Sequence, residues 1–191
     1  MTSCAAMVFF ILLRKKYTIY SMNNTQYDNT AIHTYDSPIG ILTLSSNGQY
    51  LTGLHFNGQK HFGNNSLQNA ITDSDLPLFK TASEWLNRYF EGGHPNPFEL
   101  PLLPSGSPFQ LRVWEALLGI PYGETVSYGD LAKLLGTSPR AIGNAVGRNP
   151  IGIIIPCHRV VGANGQLTGF AGGIERKIWL LEHEKRGRSP F

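Results

Sequence analysis

A proline-rich stretch, HPNPFELPLLPSGSP at residues 94–108, cuts the chain in two. Proline fixes φ and lacks an amide donor, so no helix interior or central strand runs through five prolines in fifteen residues. The segment must be extended. Strand-like patterns precede it and helical patterns follow it, which predicts two units joined there. The expected organisation is an N-terminal extension (residues 1–30), an α/β domain (31–93), a linker (94–107) and a second domain (108–191). At 191 residues a sizeable hydrophobic core can form.

Residues 31–56, AIHTYDSPIGILTLSSNGQYLTGLHF, are short β-rich runs broken by Ser37-Pro38, Gly40 and Asn47-Gly48. Asn-Gly between two such runs is a hairpin signal. Residues 57–74 are polar and read as loop. LPLFKTASEWLNRYFEGG then reads as a helix with Phe79, Ala82, Leu86 and Tyr89 on one face, ended by Gly92-Gly93.

Near the N-terminus, AAMVFFILL (residues 5–13) is too short to span a bilayer. Arg14, Lys15 and Lys16 follow it, whereas a secretory signal places positive charge first. We expect an extension without catalytic work, with Met22 as an alternative start and a signal anchor as the lesser alternative. The two cysteines, Cys4 and Cys157, make no disulfide framework, so a reducing compartment is expected, cytoplasmic or, in a eukaryote, nuclear. The six histidines show no metal-ligand spacing, and no metal is expected.

In the second half, Ser107-Pro108 caps a helix over residues 109–118. Ser127 and Asp130 resemble a capping box before LAKLLG, Gly136 ends that helix, and Thr137-Ser138-Pro139 starts another. Two helices about so short a turn suggest a helix-turn-helix. The second, RAIGNAVG, carries glycine inside a helix, at a cost of about 1 kcal/mol relative to alanine. Close packing against another helix would explain it, and so would a nucleic-acid backbone laid against it with Arg140 leading. The charge is uneven: residues 1–104 hold 6 Lys/Arg against 7 Asp/Glu, residues 105–191 hold 10 against 6. A basic second half fits a nucleic-acid face and an ordinary solvated surface equally.

IIIPCHRVVG (residues 153–162) reads as a buried strand leading into Pro156 and Cys157. Free cysteine is often plain core. A stiff proline before it and the polar pair His158-Arg159 after it weaken that reading and leave a held nucleophile open. In the last helix, IERKIWLLEHEKR, Ile174, Ile178 and Leu181 lie within about 60° on a helical wheel, and Glu184 falls between Leu180 and Leu181. Glu184 should therefore point inward, where a buried carboxylate needs a partner; His158 is one candidate and an arginine another. A Cys157–His158–Glu184 set follows, with water bridging Cys157 and His158, because adjacent side chains diverge.

PCHRVVG, preceded by GRNP and followed by GFAGG and LLEHE, together with IPYGETVSYGDLA, closely resembles the O6-alkylguanine-DNA alkyltransferases (methylated-DNA–protein-cysteine methyltransferases). The resemblance runs from about Pro108 to the end, and more loosely over the first half. It implies an α/β protein: a small N-terminal antiparallel-sheet α/β domain plus a C-terminal helical winged helix-turn-helix domain. It also implies irreversible, single-turnover transfer of a methyl or other alkyl group from O6-alkylguanine in duplex DNA to Cys157. O4-methylthymine is a candidate second substrate. No cofactor or metal is implied, nor any membrane association. The partner would be duplex DNA, bound through the minor groove by a monomer. His158 would take the thiol proton through water, Glu184 would orient His158, and Tyr128 would protonate the departing base at N3. Asn149 would fix the turn before the cysteine. Arg140, Ala141, Gly143 and Arg148 would meet DNA, with Arg140 entering the stack as the base flips out. Val160, Phe170, Ala171 and Gly172 would border the base pocket; Phe170 stands where many relatives have tyrosine. The rival readings are a cysteine hydrolase built on Cys157, His158 and Glu184, and a winged-helix DNA-binding protein with an inert cysteine.

Overall fold

The β-rich runs of the first half pair into a meander of three antiparallel strands, β1 (Ala31–Ser37), β2 (Gly40–Ser46) and β3 (Leu51–Phe56). These elements belong to a computed structural model that describes residues 30–59 and 70–187. Of the expected N-terminal extension, residues 1–29, with Cys4 and the apolar segment 5–13, lie outside the described residues. Leu42, Leu44, Leu51, Leu54 and Phe56 turn one face of the sheet into core. The β2–β3 hairpin does turn at Asn47-Gly48: the Asn47 side chain accepts from the amides of Gln49 and Tyr50.

The sheet is not wholly antiparallel. A short β4 (Ile71–Thr72) adds to its edge parallel to β1, in the order β3-β2-β1-β4. This corrects, at Ile71–Thr72, the loop expected across residues 57–74; residues 60–69 of that stretch lie outside the described residues. The pairing rests on main-chain bonds such as Ile71 N–H to Thr30 O at 2.9 Å, which two exposed residues do not announce in their side chains.

Helix α1 (Pro77–Phe90) begins with proline in its first turn and buries Phe79, Ala82, Trp85, Leu86 and Tyr89. The proline-rich segment that follows is docked and, against expectation, not extended throughout: Pro97–Glu99 make a 3₁₀ turn capped by the Asn96 side chain. Leu51 N–H donates to Pro101 O at 2.8 Å, Leu103 N–H donates to Leu51 O at 2.9 Å, and Leu100 and Leu102 are buried.

The second half holds α2 (Pro108–Leu118), β5 (Val126–Ser127), α3 (Tyr128–Leu135), α4 (Pro139–Val146), β6 (Val160–Val161) and α5 (Ile174–Gly187). Ser107, Ser127 and Ser138 cap α2, α3 and α4, each side chain accepting a backbone N–H. Gly136, at φ 64°, ends α3 in the left-handed region that glycine tolerates. Trp114 of α2, 1% exposed, donates from Nε1 to Ala145 O at 2.9 Å and fixes α4 in place. β5 and β6 form a parallel pair beside the α3–α4 helix-turn-helix, and a loop of residues 162–173 extends from β6 toward α5.

Helix α5 is rotated from the orientation expected. Ile174 and Ile178 are 40% and 37% exposed, while Lys177, Leu180, Leu181 and Glu184 are buried. That buried stripe keeps the i, i+3, i+4, i+7 spacing but is centred on two charged residues. The polar partners of Lys177 and Glu184 set the rotation, and the isoleucines are left outside. Leu54 N–H to Pro150 O and Gly152 N–H to Leu54 O, both 2.9 Å, stitch β3 to the second half, and one buried cluster spans both.

Candidate active site

The run before Cys157 is buried, as its composition demands, but it is not a strand. Residues 151–155 fold back in tight turns. Ile154 N–H donates to Gly152 O at 2.7 Å around Ile153, which sits at φ 65°. A γ-turn with positive φ is rare and strained, and for a β-branched residue the cost is about 1–3 kcal/mol. A second, relaxed γ-turn follows: Pro156 (φ −81°, ψ 64°) is spanned by Cys157 N–H to Ile155 O at 2.8 Å. Burial of Ile151, Ile153, Ile154 and Ile155 at 0–1% exposure offsets the strain, each such side chain contributing about 1.5–3 kcal/mol. Asn149 staples the turn. Its Nδ2 donates to Ile155 O at 2.8 Å and Ile151 O at 3.4 Å, and its Oδ1 accepts from Ile151 N–H at 3.0 Å.

Cys157, His158 and Arg159 then form one 3₁₀ turn, all buried. Glu184 on α5 is the centre on which this turn converges. Its Oε1 meets His158 Nε2 at 2.7 Å and accepts from Tyr89 Oη at 2.8 Å and Arg159 Nη2 at 3.0 Å. Its Oε2 accepts from Arg159 Nε at 2.9 Å and Gly123 N–H at 2.8 Å. Burial by itself would raise this carboxyl, but His158 and Arg159 hold it far below the ordinary glutamate range. It is a carboxylate at any working pH.

This charge state assigns the imidazole tautomer. A carboxylate only accepts, so Nε2 carries the proton and Nδ1 presents a lone pair. His158 Nδ1 is buried with no hydrogen-bond partner among the described residues. Burial lowers the His158 pKa, and Glu184 only partly opposes this; Arg159 already neutralises the carboxylate, so His158 is neutral. Burial likewise pushes the Cys157 thiol up, partly offset by a hydrogen bond from Asn149, the charge of Lys177 and the backbone amides of Cys157 and His158. At rest the sulfur is a shielded thiol with a neutral base beside it in sequence.

Of the expected residues, Asn149, Cys157, Phe170, Ala171 and Gly172 line a single cavity. Tyr128 lies near enough to feel Cys157 and bonds to the Thr168 side chain; burial raises its pKa. Val160 does not line the cavity. It is buried in β6, where its carbonyl accepts from Lys177 Nζ at 2.6 Å. Arg140 and Arg148 are exposed and Ala141 and Gly143 half-buried on α4. A Cβ on Gly143 would come no closer than 3.9 Å to the Tyr128 ring, ordinary contact, so packing does not demand glycine there.

Four residues escaped the sequence reading. Arg159 holds Glu184 through two nitrogens and donates from Nη1 to Ile120 O at 2.6 Å. Lys177, fully buried, ties Val160 O to Thr168 O and is the cation felt by the thiol. Tyr89 reaches Glu184 from the N-terminal half, and Phe56 lines the cavity from β3. A wheel anchored at Glu184 would have put Lys177, seven residues earlier, on the same face; nothing local marks Tyr89 or Phe56. No cluster of three metal-ligating side chains occurs among the described residues, and no helix there is long and apolar enough to cross a membrane.

Two family models match: the DNA binding domain of 6-O-methylguanine DNA methyltransferase over residues 108–186, and its ribonuclease-like domain over residues 31–104. A methylated-DNA–protein-cysteine methyltransferase of Mycobacterium bovis is 48% identical over 159 residues, 82% of this chain and 93% of its own length. One from Haemophilus influenzae is 41% identical over 153 residues, 79% of this chain and 84% of its own. The crystal structure of a Mycobacterium tuberculosis O6-methylguanine methyltransferase superposes with a TM-score of 0.75 at 46% identity, covering 85% of this chain and 96% of that one. An OGT structure from the same organism, in complex with DNA, matches equally well in TM-score.

Proposed function

The chain belongs to the 6-O-methylguanine DNA methyltransferase family, and on that footing we propose that it repairs DNA by moving the alkyl group of O6-alkylguanine irreversibly onto Cys157. The observation that carries the assignment of roles is the Glu184–His158 bond, which leaves Nδ1 with its lone pair on the residue next in sequence to a buried thiol. His158 withdraws the thiol proton through a bridging water as sulfur attacks the alkyl carbon. The S–C bond forms, the C–O6 bond breaks, and the electron pair leaves with guanine. Tyr128, kept protonated by burial, delivers a proton to guanine N3 and is reprotonated in turn. The net proton passes from thiol to guanine. The product is a thioether with no leaving group for water to displace, so each molecule acts once.

DNA approaches α4, whose exposed side carries Arg140 and Asn144, with exposed Arg148 just past its C-terminal end. The reading is minor-groove docking by a monomer in a reducing compartment, mostly to phosphate and sugar, because repair must ignore sequence context. The damaged base flips into the Cys157 cavity, and Arg140 fills the stack it leaves. O4-methylthymine is a candidate second substrate for the same cavity.

Incubation with duplex DNA containing O6-methylguanine, followed by intact mass and peptide mapping, tests this. One methyl per chain on Cys157, absent in Cys157→Ala, is expected. Repeated turnover with unmodified protein would refute self-alkylation and favour hydrolase chemistry.

A further inference from the structure

The cavity at Cys157 has two unlike walls. At its mouth stand Gly147 and the loop residues Gly169 and Phe170, exposed or half-exposed. Its buried lining, taken as its blind end, includes Phe56, Val146, Gly152 and Gly172; half-buried Gln59, which accepts from the Phe56 N–H at 3.1 Å, lines it beside Phe56. Phe56 comes from β3 of the N-terminal sheet and is 2% exposed. Its ring is gripped on several sides. A Cβ on Gly172 would fall 2.5 Å from its Cδ2, and one on Gly152 would fall 3.5 Å from its Cε2. The Phe170 ring meets it edge-on at 5.8 Å, and the Arg176 guanidinium lies 5.1 Å from its centroid. Arg176 is itself anchored to Ile39 O and Gly172 O at 3.0 and 2.9 Å.

The walls therefore differ in what they can yield. The loop wall is exposed over residues 163–169, tied at Thr168 by Lys177 Nζ and Tyr128, and is the side from which a base can reach the cavity. The Phe56 wall cannot retreat without opening the core that joins the two halves. The free space between them is about 20 Å³, little more than one buried water needs. A base entering by the mouth presents its alkyl carbon to sulfur, and any further carbons must fit against the blind end.

We propose that Phe56 is a specificity-determining residue whose ring closes the blind end of the Cys157 cavity and restricts transfer to small alkyl groups, methyl above all, excluding benzyl-sized ones. The proposal rests on the repair reading above, and assigns the range of the reaction to the N-terminal sheet.

The test is a pair of single-turnover rates, for O6-methylguanine and O6-benzylguanine in the same duplex, followed by intact mass. The observable is the benzyl-to-methyl ratio within each protein, so general loss of activity cancels. The wild type should transfer benzyl far more slowly than methyl. In Phe56→Ala the ratio should rise by roughly tenfold or more, the scale on which pocket volume discriminates hydrocarbon groups. Phe56→Leu keeps more of the core and should raise it less; it decides the matter if the alanine variant does not fold. A ratio within twofold of wild type in a folded variant overturns the proposal, as does a wild type that transfers both groups equally fast. A wild type that transfers no methyl overturns the repair reading and this proposal together.

Discussion

Replacing Tyr89 by phenylalanine removes one hydroxyl from the Glu184 centre and nothing else. That hydroxyl donates to Oε1 at 2.8 Å, and burial followed by the Glu184 charge keeps it protonated far beyond neutral pH. A hydrogen bond to a charged group contributes about 1.5–3 kcal/mol net. Oε1 would still accept from His158 and Arg159, so the variant leaves no buried acceptor bare, and the lower part of that range applies. The ring would keep its stacking on Trp85 at 5.7 Å. The expected loss is about 1.5–2 kcal/mol, or about 3–8 °C in Tm for a chain of this size. Urea unfolding at neutral pH with an unchanged m-value measures it. Tyr122 supplies the control. It packs against Tyr89 at 6.0 Å, yet its buried hydroxyl has no hydrogen-bond partner among the described residues. Tyr122→Phe removes a hydroxyl that folding leaves unsatisfied, so it should leave stability unchanged or raise it by up to about 1–3 kcal/mol. Because Tyr89 and His158 share one oxygen, Tyr89→Phe should also slow methyl transfer a few-fold while Tyr122→Phe does not. Equal stability of the two variants would refute the view that Tyr89 ties the N-terminal half to the site through Glu184.

Stability should fall with acid in two stages. His55 is lowered to about 4 by burial and His158 is lowered by burial, so each favours the fold above its ordinary value of 6.5 and withdraws that support as pH drops through its folded value. Glu184 is depressed from 4.5, so its contribution is intact above that pH and erodes below it; Glu184→Gln should flatten the second stage of an acid titration and lower stability at pH 7. Lys177→Met should cost about 2–4 kcal/mol by stranding the Val160 and Thr168 carbonyls, raise the Cys157 thiol pKa in a thiol-reactivity titration, and slow transfer at least tenfold; transfer at the wild-type rate would remove Lys177 from the site. Arg140→Ala lies on an exposed surface and should shift stability by less than about 0.5 kcal/mol, yet slow repair in duplex DNA about tenfold, with the defect shrinking when the damaged base is mispaired and cheap to flip.

What could be read before any coordinates was local. The serine caps of α2, α3 and α4, the glycine that stops α3 and the buried face of α1 each depend on residues within a few positions of one another, and all were legible. Glu184 was legible too, because a carboxylate on an apolar helix face must find a cation or donor. The run at residues 153–155 was misread for an equally physical reason. Three isoleucines satisfy a buried strand and a buried turn alike, and the arbiter is Asn149, whose amide captures the backbone across the turn. The rotation of α5 was hidden because hydrophobicity alone ranks isoleucine inside and lysine outside.

The sequence by itself determined the family, since PCHRVVG and its company lie within a short stretch, and it put Cys157 and His158 forward as the proposed nucleophile and base. Only the tertiary structure decided how the base is held and what bounds the cavity. Tyr89 meets Glu184 across 95 residues, Lys177 meets Val160 across 17, and Phe56 arrives at the cavity from a strand in the other half. Only Lys177, one heptad before Glu184, leaves a periodic trace; Tyr89 and Phe56 leave none. Each contact exists because burying one charge or one ring compels a distant group to come and satisfy it.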